Sequence, residues 1–167
     1  MKNLWTPWRR EYVLGEKPPG CLLCLKQQEP VEKDRENYIL HRGKTCYILL
    51  NRYPYTNGHL MIAPYVHEGK LEHLNDGSLY EMIALTRASV AALKKALSPA
   101  GFNIGMNLGK VAGAGIADHL HMHVVPRWLG DVNFMSVFAE ARLIPEALDT
   151  TYDELFPILV EQLSSLK

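Results

Sequence analysis

A chain of 167 residues is long enough to bury a core of its own without cross-links. Hydrophobic residues at 47% and charged residues at 22% are an ordinary globular balance. Lysine plus arginine equals aspartate plus glutamate at 18 each, so no net field is available to gather nucleic acid or an anionic membrane.

No apolar run approaches the roughly 18 residues of a transmembrane helix. The start, Met1-Lys2-Asn3-Leu4-Trp5-Thr6-Pro7-Trp8, lacks the apolar stretch of a signal peptide, so a cytoplasmic location is expected. Three cysteines, an odd number, argue against a disulfide framework. The expected organisation is a single domain over 1–167, with an irregular N-terminal arm over 1–36.

Trp5, Trp8 and Tyr12 give that arm too much aromatic surface for a free tail, so it is expected to pack on the domain or on a partner subunit. Cys21-Leu22-Leu23-Cys24 then places two thiols at the spacing of half a zinc site. Taken alone this pair is equally compatible with plain packing. A redox pair is disfavoured, because no helix of the thioredoxin kind is expected after it. Residues 29–36, with six charges and a proline, read as a solvated turn region.

Residues 37–41 and 45–50 are rich in Tyr, Ile and Leu and flank Arg42-Gly43-Lys44, which predicts a hairpin. Residues 51–58 carry Pro, Asn and Gly and predict a loop, and 59–63 a third strand ended by Pro64. Leu79, Met82, Ile83, Thr86, Val90, Leu93 and Leu97 recur at helical spacing and predict one apolar stripe on a long helix. Asn75 or Asp76 can cap its start, and Ser98-Pro99 stops it. Residues 102–108 predict a fourth strand. The stretch Gly109-Lys110-Val111-Ala112-Gly113-Ala114-Gly115 lets backbone approach something closely, and a nest of amides for phosphate oxygens fits better there than a mobile connection. It is neither a Walker sequence nor a Rossmann fingerprint.

In Asp118-His119-Leu120-His121-Met122-His123-Val124-Val125-Pro126-Arg127-Trp128, three histidines alternate with apolar residues. Period two predicts a strand with the histidines on one face and Leu120, Met122 and Val124 in a core. Neutral imidazole is a base, a nucleophile and a metal ligand, and packing alone rarely calls for three in such a row. A single metal ion on all three is disfavoured by geometry, since same-face positions in a strand are about 6.5–7 Å apart. Residues 130–137 predict a loop or short strand. Pro145 and Asp149-Thr150 precede a C-terminal helix carrying Leu155, Leu159 and Leu163. The order of elements predicts an α+β fold: an antiparallel sheet of about five strands covered by a long helix and a C-terminal helix.

The run His119-Leu120-His121-Met122-His123-Val124-Val125 resembles the signature of the histidine triad (HIT) family, His-φ-His-φ-His-φ-φ with φ apolar, at all seven positions. The segment from Asn51-Arg52-Tyr53-Pro54 through Gly58-His59 to His67 resembles that family's second region. The arm Trp5-Thr6-Pro7-Trp8-Arg9-Arg10-Glu11-Tyr12-Val13 resembles a bacterial branch that includes diadenosine tetraphosphate phosphorylases and dinucleoside polyphosphate hydrolases.

The resemblance implies a nucleotidyl transferase or hydrolase that cleaves at the α-phosphate of a nucleotide, such as a diadenosine polyphosphate, through a covalent nucleotidyl-histidine. His121 would be the nucleophile and His123 would hold a non-bridging phosphate oxygen, with amides of Gly113, Ala114 and Gly115 beside it. His59 would set tautomers, Asn51 would take the ribose and Asn107 would lie near the phosphates. At Gly115, where many relatives carry Gln or Ser, only backbone can meet a phosphate. Zinc-bearing bacterial relatives imply a structural zinc ion on Cys21, Cys24, His67 and His119. A homodimer is expected, both from the family and from the apolar surface of the arm and the helix over 79–97. Phosphorolysis is favoured slightly over hydrolysis, with phosphoramidate hydrolysis or non-catalytic nucleotide sensing as the rival readings.

Overall fold

The computed structural model describes residues 20–131 and 147–165. Five strands form one sheet: β1 (Ile39–Arg42), β2 (Cys46–Leu50), β3 (Leu60–Pro64), β4 (Gly101–Met106) and β5 (Met122–Arg127). Their order is β1-β2-β3-β5-β4, with every neighbouring pair antiparallel. The last strand in sequence is therefore inserted between the third and the fourth. The histidine-bearing strand has hydrogen-bonded neighbours on both sides, which fixes its register.

The helix Asp76–Leu97 (α3) packs across one sheet face, and Leu148–Ser164 (α4) packs on α3 and β1. Among the described residues two shorter helices precede them, Leu22–Gln28 (α1) and the single turn Asp34–Asn37 (α2). Asn75 caps α3, its side-chain oxygen accepting the Ser78 N–H at 2.9 Å, and Ser98 ends it in the left-handed conformation. The main core lies between sheet and helices: Ile48, Leu50, Leu60, Ile62, Leu120, Met122 and Val124 meet Met82, Leu85, Leu93, Tyr152, Leu155 and Leu159. Each such side chain contributes about 1.5–3 kcal/mol by its removal from water. On the opposite sheet face α1 closes a smaller core of Leu23, Ile39, Tyr47, Leu49 and Ala63. The Tyr47 hydroxyl there donates to the Leu23 carbonyl at 2.9 Å.

The α+β sandwich, the hairpin over 39–50 and the burial of Leu120, Met122 and Val124 agree with the sequence expectations. Several details differ. Both cysteines of the C-x2-C stretch stand at the start of α1, where no helix was expected, because seven residues are too few to display helical periodicity. The 29–36 region contains a 3-10 turn and α2, held by the Arg42–Asp34 ion pair at 2.7 Å. The stripe on α3 is rotated: Leu85, Ala88 and Ala92 are buried, whereas Ile83 is 59% exposed. β5 begins at Met122, not at Asp118, and β4 ends at Met106. Asp149 and Thr150 lie within the first turn of α4 and do not precede it. The aromatic arm around Trp5, Trp8 and Tyr12, and most of the 130–137 loop, lie outside the described residues.

Candidate active site and metal centre

Met122 and Val124 point into the core, so alternation turns His123 to the other face of β5, level with Met61 of β3 and Gly105 of β4. Gly105 carries no side chain to crowd it. His59 stands beside it, placed by a loop whose ends are tied by the Asn51 N–H donating to the His59 carbonyl at 2.9 Å. Gly58 makes that placement possible. Its φ is +71°, and a Cβ there would lie 2.6 Å from Leu97 Cδ1 and 2.9 Å from Leu93 Cδ2 of α3.

The hydrogen bonds assign the tautomers one after another. The Tyr55 backbone N–H donates to His59 Nδ1 at 3.1 Å, so His59 carries its proton on Nε2. That Nε2–H donates to His123 Nδ1 at 2.9 Å. His123 must therefore carry its own proton on Nε2. Burial, and secondarily the nearby His121, push the His123 pKa down to about 4, so the ring is neutral at neutral pH. It is a neutral N–H donor facing outward. His121 is set differently: its Nδ1–H donates to the His119 carbonyl at 2.8 Å, and a carbonyl can only accept. The lone pair is left on Nε2. The His121 and His123 rings stand edge to face with centroids 4.8 Å apart.

A cleft of about 430 Å³ opens beside His123, lined by Tyr55, Gly105, Met106, Asn107 and Arg127 among others. Arg127 is held there by Asp131 at 2.6 Å and Asn103 at 2.6 Å. Asn107 approaches the glycine-rich loop, its Nδ2 being 4.0 Å from where a Gly113 Cβ would stand. The loop makes one 3-10 turn, Lys110–Ala112. Within it the Gly113 N–H donates to the Lys110 carbonyl at 3.0 Å and the Ala114 N–H to that of Gly109 at 3.4 Å. Asn51 is drawn behind His59: its Oδ1 accepts the Tyr53 N–H at 2.9 Å and its Nδ2 lies 3.4 Å from His59 Nδ1.

His119 faces away from this cleft. Its Nε2–H donates to the Pro64 carbonyl at 2.8 Å, which leaves the lone pair on Nδ1. That Nδ1 lies 3.3 Å from Cys21 Sγ, 3.4 Å from Cys24 Sγ and 3.4 Å from His67 Nδ1, and Cys24 Sγ lies 3.3 Å from His67 Nδ1. All four donor atoms lie within 4.8 Å of one another. A tetrahedral ion bonded at about 2.0–2.1 Å to nitrogen and about 2.3 Å to sulfur sets its donors roughly 3.3–3.8 Å apart. The donor set fits such an ion, and these four residues can bind a metal. Burial lowers the His119 pKa, keeping the ring neutral as a ligand must be. Burial, and then the adjacent Cys21 thiol, raise that of Cys24, so a thiolate at Cys24 calls for a cation beside it. All three cysteines are free thiols.

The structure thus brings His59, His121 and His123 to one cluster and Cys21, Cys24, His67 and His119 to another. Asn107 lies at the cleft, whereas Gly109 and Lys110 of the glycine-rich loop line a separate hollow beside His67, and Asn51 lies behind His59. The backbone of Tyr55, the Pro64 carbonyl and the His119 carbonyl were not foreseen. They act through main-chain atoms, which no residue type announces.

A HIT domain model matches residues 32–128. The chain is 41% identical over 158 residues to the AP-4-A phosphorylase of Mycobacterium tuberculosis, covering 90% of this chain and 80% of that one. It superposes on a Zn-bound histidine triad family protein from Mycobacterium smegmatis with a TM-score of 0.68 at 25% identity, over 89% of this chain and 98% of the other. A hypothetical histidine triad nucleotide-binding protein from Sulfolobus tokodaii shares the fold, with a TM-score of 0.65 at 24% identity over 88% and 94% of the two chains. With His123 on an interior strand, His119 and His121 immediately before it, and a family model spanning more than half its length, this chain belongs to the HIT domain family.

Proposed function

We propose that this protein is a nucleotidyl transferase that cleaves dinucleoside polyphosphates at the α-phosphate, with inorganic phosphate as the favoured acceptor. One observation carries the reading. The His121 Nδ1–H donates to the His119 carbonyl, so Nε2 offers a lone pair without any base having to remove a proton first. Attack by Nε2 on the α-phosphorus breaks the bond to the bridging oxygen and leaves the nucleotidyl group on His121. The departing polyphosphate nucleotide takes the oxygen. Phosphate or water then attacks the same phosphorus and returns the electron pair to Nε2, in a ping-pong sequence. The outward Nε2–H of His123 would donate to a non-bridging oxygen as charge builds there. Asn107 and the Gly115 amide would share that task, the Gly113 and Ala114 amides being engaged within the loop, and Asn51 would approach the ribose. The name of the mycobacterial relative supports phosphorolysis over hydrolysis.

Cys21, Cys24, His67 and His119 would hold a zinc ion, which would bind the thiolates and tie α1 to the sheet. The solved relative described as Zn-bound supports this identity. Reduced thiols suit a cytoplasmic location, and no helix among the described residues is long and apolar enough to cross a membrane. Edge strand β4, with Ile104 49% exposed, and the exposed Tyr80 and Ile83 of α3 support assembly as a homodimer.

Incubation with diadenosine tetraphosphate, with and without inorganic phosphate, tests the reaction by chromatography of the products. ADP with ATP appearing only when phosphate is present is the expected result. AMP with ATP at equal rates in both arms makes the protein a hydrolase. An inert dinucleotide alongside rapid cleavage of adenosine phosphoramidate moves the substrate to phosphoramidates.

A further inference from the structure

The regular sheet stops one residue short of His121. β5 pairs with β3 no further than Met122 opposite Ile62, and with β4 no further than Met122 opposite Met106. Residues 119–121 therefore lie beyond the ladder on both sides. Segment 64–69 holds them instead. The Pro64 carbonyl accepts the His119 Nε2–H at 2.8 Å, and the Glu68 carbonyl accepts the Leu120 N–H at 2.7 Å. Gly69 passes so close that a Cβ on it would lie 2.8 Å from the Ala117 carbonyl oxygen. His67 sits within that same segment, its Nδ1 aimed at His119 and Cys24. Cys21 and Cys24 approach from α1 on the other side.

His119 is thus gripped through both ring nitrogens, and its own carbonyl is the group that accepts the hydrogen bond from His121 Nδ1–H. We infer that Cys21, Cys24 and His67 are positioning residues for His121, acting through the backbone of His119. Closing the four-donor cluster fixes the His119 carbonyl, and that carbonyl fixes both the tautomer and the direction of the His121 ring. Opening the cluster leaves the His119–Leu120 peptide held only by the Glu68 and Pro64 carbonyls, and both belong to the segment that His67 would otherwise anchor. The His121 proton then exchanges between its two nitrogens, and the lone pair points at the α-phosphate only part of the time. A misplacement of about 1 Å at a reacting atom costs roughly a hundredfold in rate. The inference rests on His121 being the nucleophile, and it gives the cluster a role beyond joining α1 to the sheet.

The test uses protein labelled with 15N-histidine, loaded with zinc, and compared with the same protein after chelation and with His67→Ala. Nitrogen–proton correlation spectra should show His121 as a single tautomer, protonated at Nδ1, only while the cluster is closed. In the opened forms its two nitrogens should average. Turnover number should fall about 10–100-fold, as for groups that orient a ligand from behind, with KM for the dinucleotide held within about twofold. Cys24→His, which keeps a donor atom at that position, should keep the single tautomer when zinc is supplied. Leu159→Ala, in the α4 core, should lower the melting temperature without changing either readout.

A single His121 tautomer with full turnover in the folded, opened protein would overturn the inference. Equal loss of turnover in Leu159→Ala would do so too, as would global unfolding on chelation by circular dichroism, because the cluster would then hold the fold and not the ring. If His121 proves dispensable for turnover, the proposed reaction fails while the tautomer spectra still decide the positioning.

Discussion

His59 Nε2 donates to His123 Nδ1 across 2.9 Å, joining a loop residue to the central strand and leaving His123 with an outward N–H. Because the pair is buried, replacing His59 by leucine leaves a buried acceptor without its donor. The expected loss is about 1–3 kcal/mol of folding stability, measured by urea unfolding. Turnover should fall with it, since His123 is then free to adopt the other tautomer. Unchanged stability and turnover in His59→Leu would remove the pair from the mechanism.

His121→Ala should abolish turnover by several orders of magnitude while leaving the fold intact, as expected for a nucleophile that works as part of a unit. Single-turnover assays and circular dichroism make the comparison. More than about a tenth of wild-type activity in this variant would rule out covalent catalysis at His121.

Burial holds the His123 pKa near about 4, against 6.5 for an exposed histidine. Between those values the unfolded chain binds a proton that the folded chain refuses. Stability is therefore complete above about 6.5, falls as the pH drops toward 4, and loses nothing more from this group below that; the contribution is at most about 3 kcal/mol. Urea unfolding across this window should show a shallower slope for His123→Asn. A residual slope should remain, because burial also lowers the pKa values of His41 and His119. Identical slopes for the two proteins would contradict the assignment.

At Gly58 an added methyl group meets both a positive φ and the side chains of Leu93 and Leu97. Gly58→Ala should cost about 1–3 kcal/mol through strain and overpacking, and it should shift His59. Thermal unfolding checks the first effect. Gly101→Ala, where no atom stands within 4 Å of the added group, is the matched control and should be near neutral.

Protein purified without chelator should contain close to one zinc per chain by elemental analysis. Cys24→Ser should lower both the zinc content and the melting temperature, and binding should weaken in acid as the ligands take up protons. Purified protein free of metal, or a Cys21–Cys24 disulfide under reducing conditions, would exclude the zinc site.

Much of this molecule is legible locally. Alternation of period two is a property of neighbouring residues, so Leu120, Met122 and Val124 could be assigned to the core before any partner strand was known. The cap at Asn75 and the stop at Ser98-Pro99 are likewise decided within one turn of chain. Other features depend on what lies across the sheet. Which stripe of α3 is buried follows from where β2, β3 and β5 pass beneath it, and so Leu85 and Ala92 are inside while Ile83 is in water. α1 is too short for its periodicity to declare itself, and it is held by packing on Tyr47 and Ile39. The division of labour among the three histidines is also tertiary. Spacing treats His119, His121 and His123 alike. They differ because the ladder ends at Met122 and because three separate acceptors, the Pro64 carbonyl, the His119 carbonyl and His59 Nδ1, decide where the protons of this network sit. A tautomer is set by the atom across the hydrogen bond, and only folding brings that atom into place.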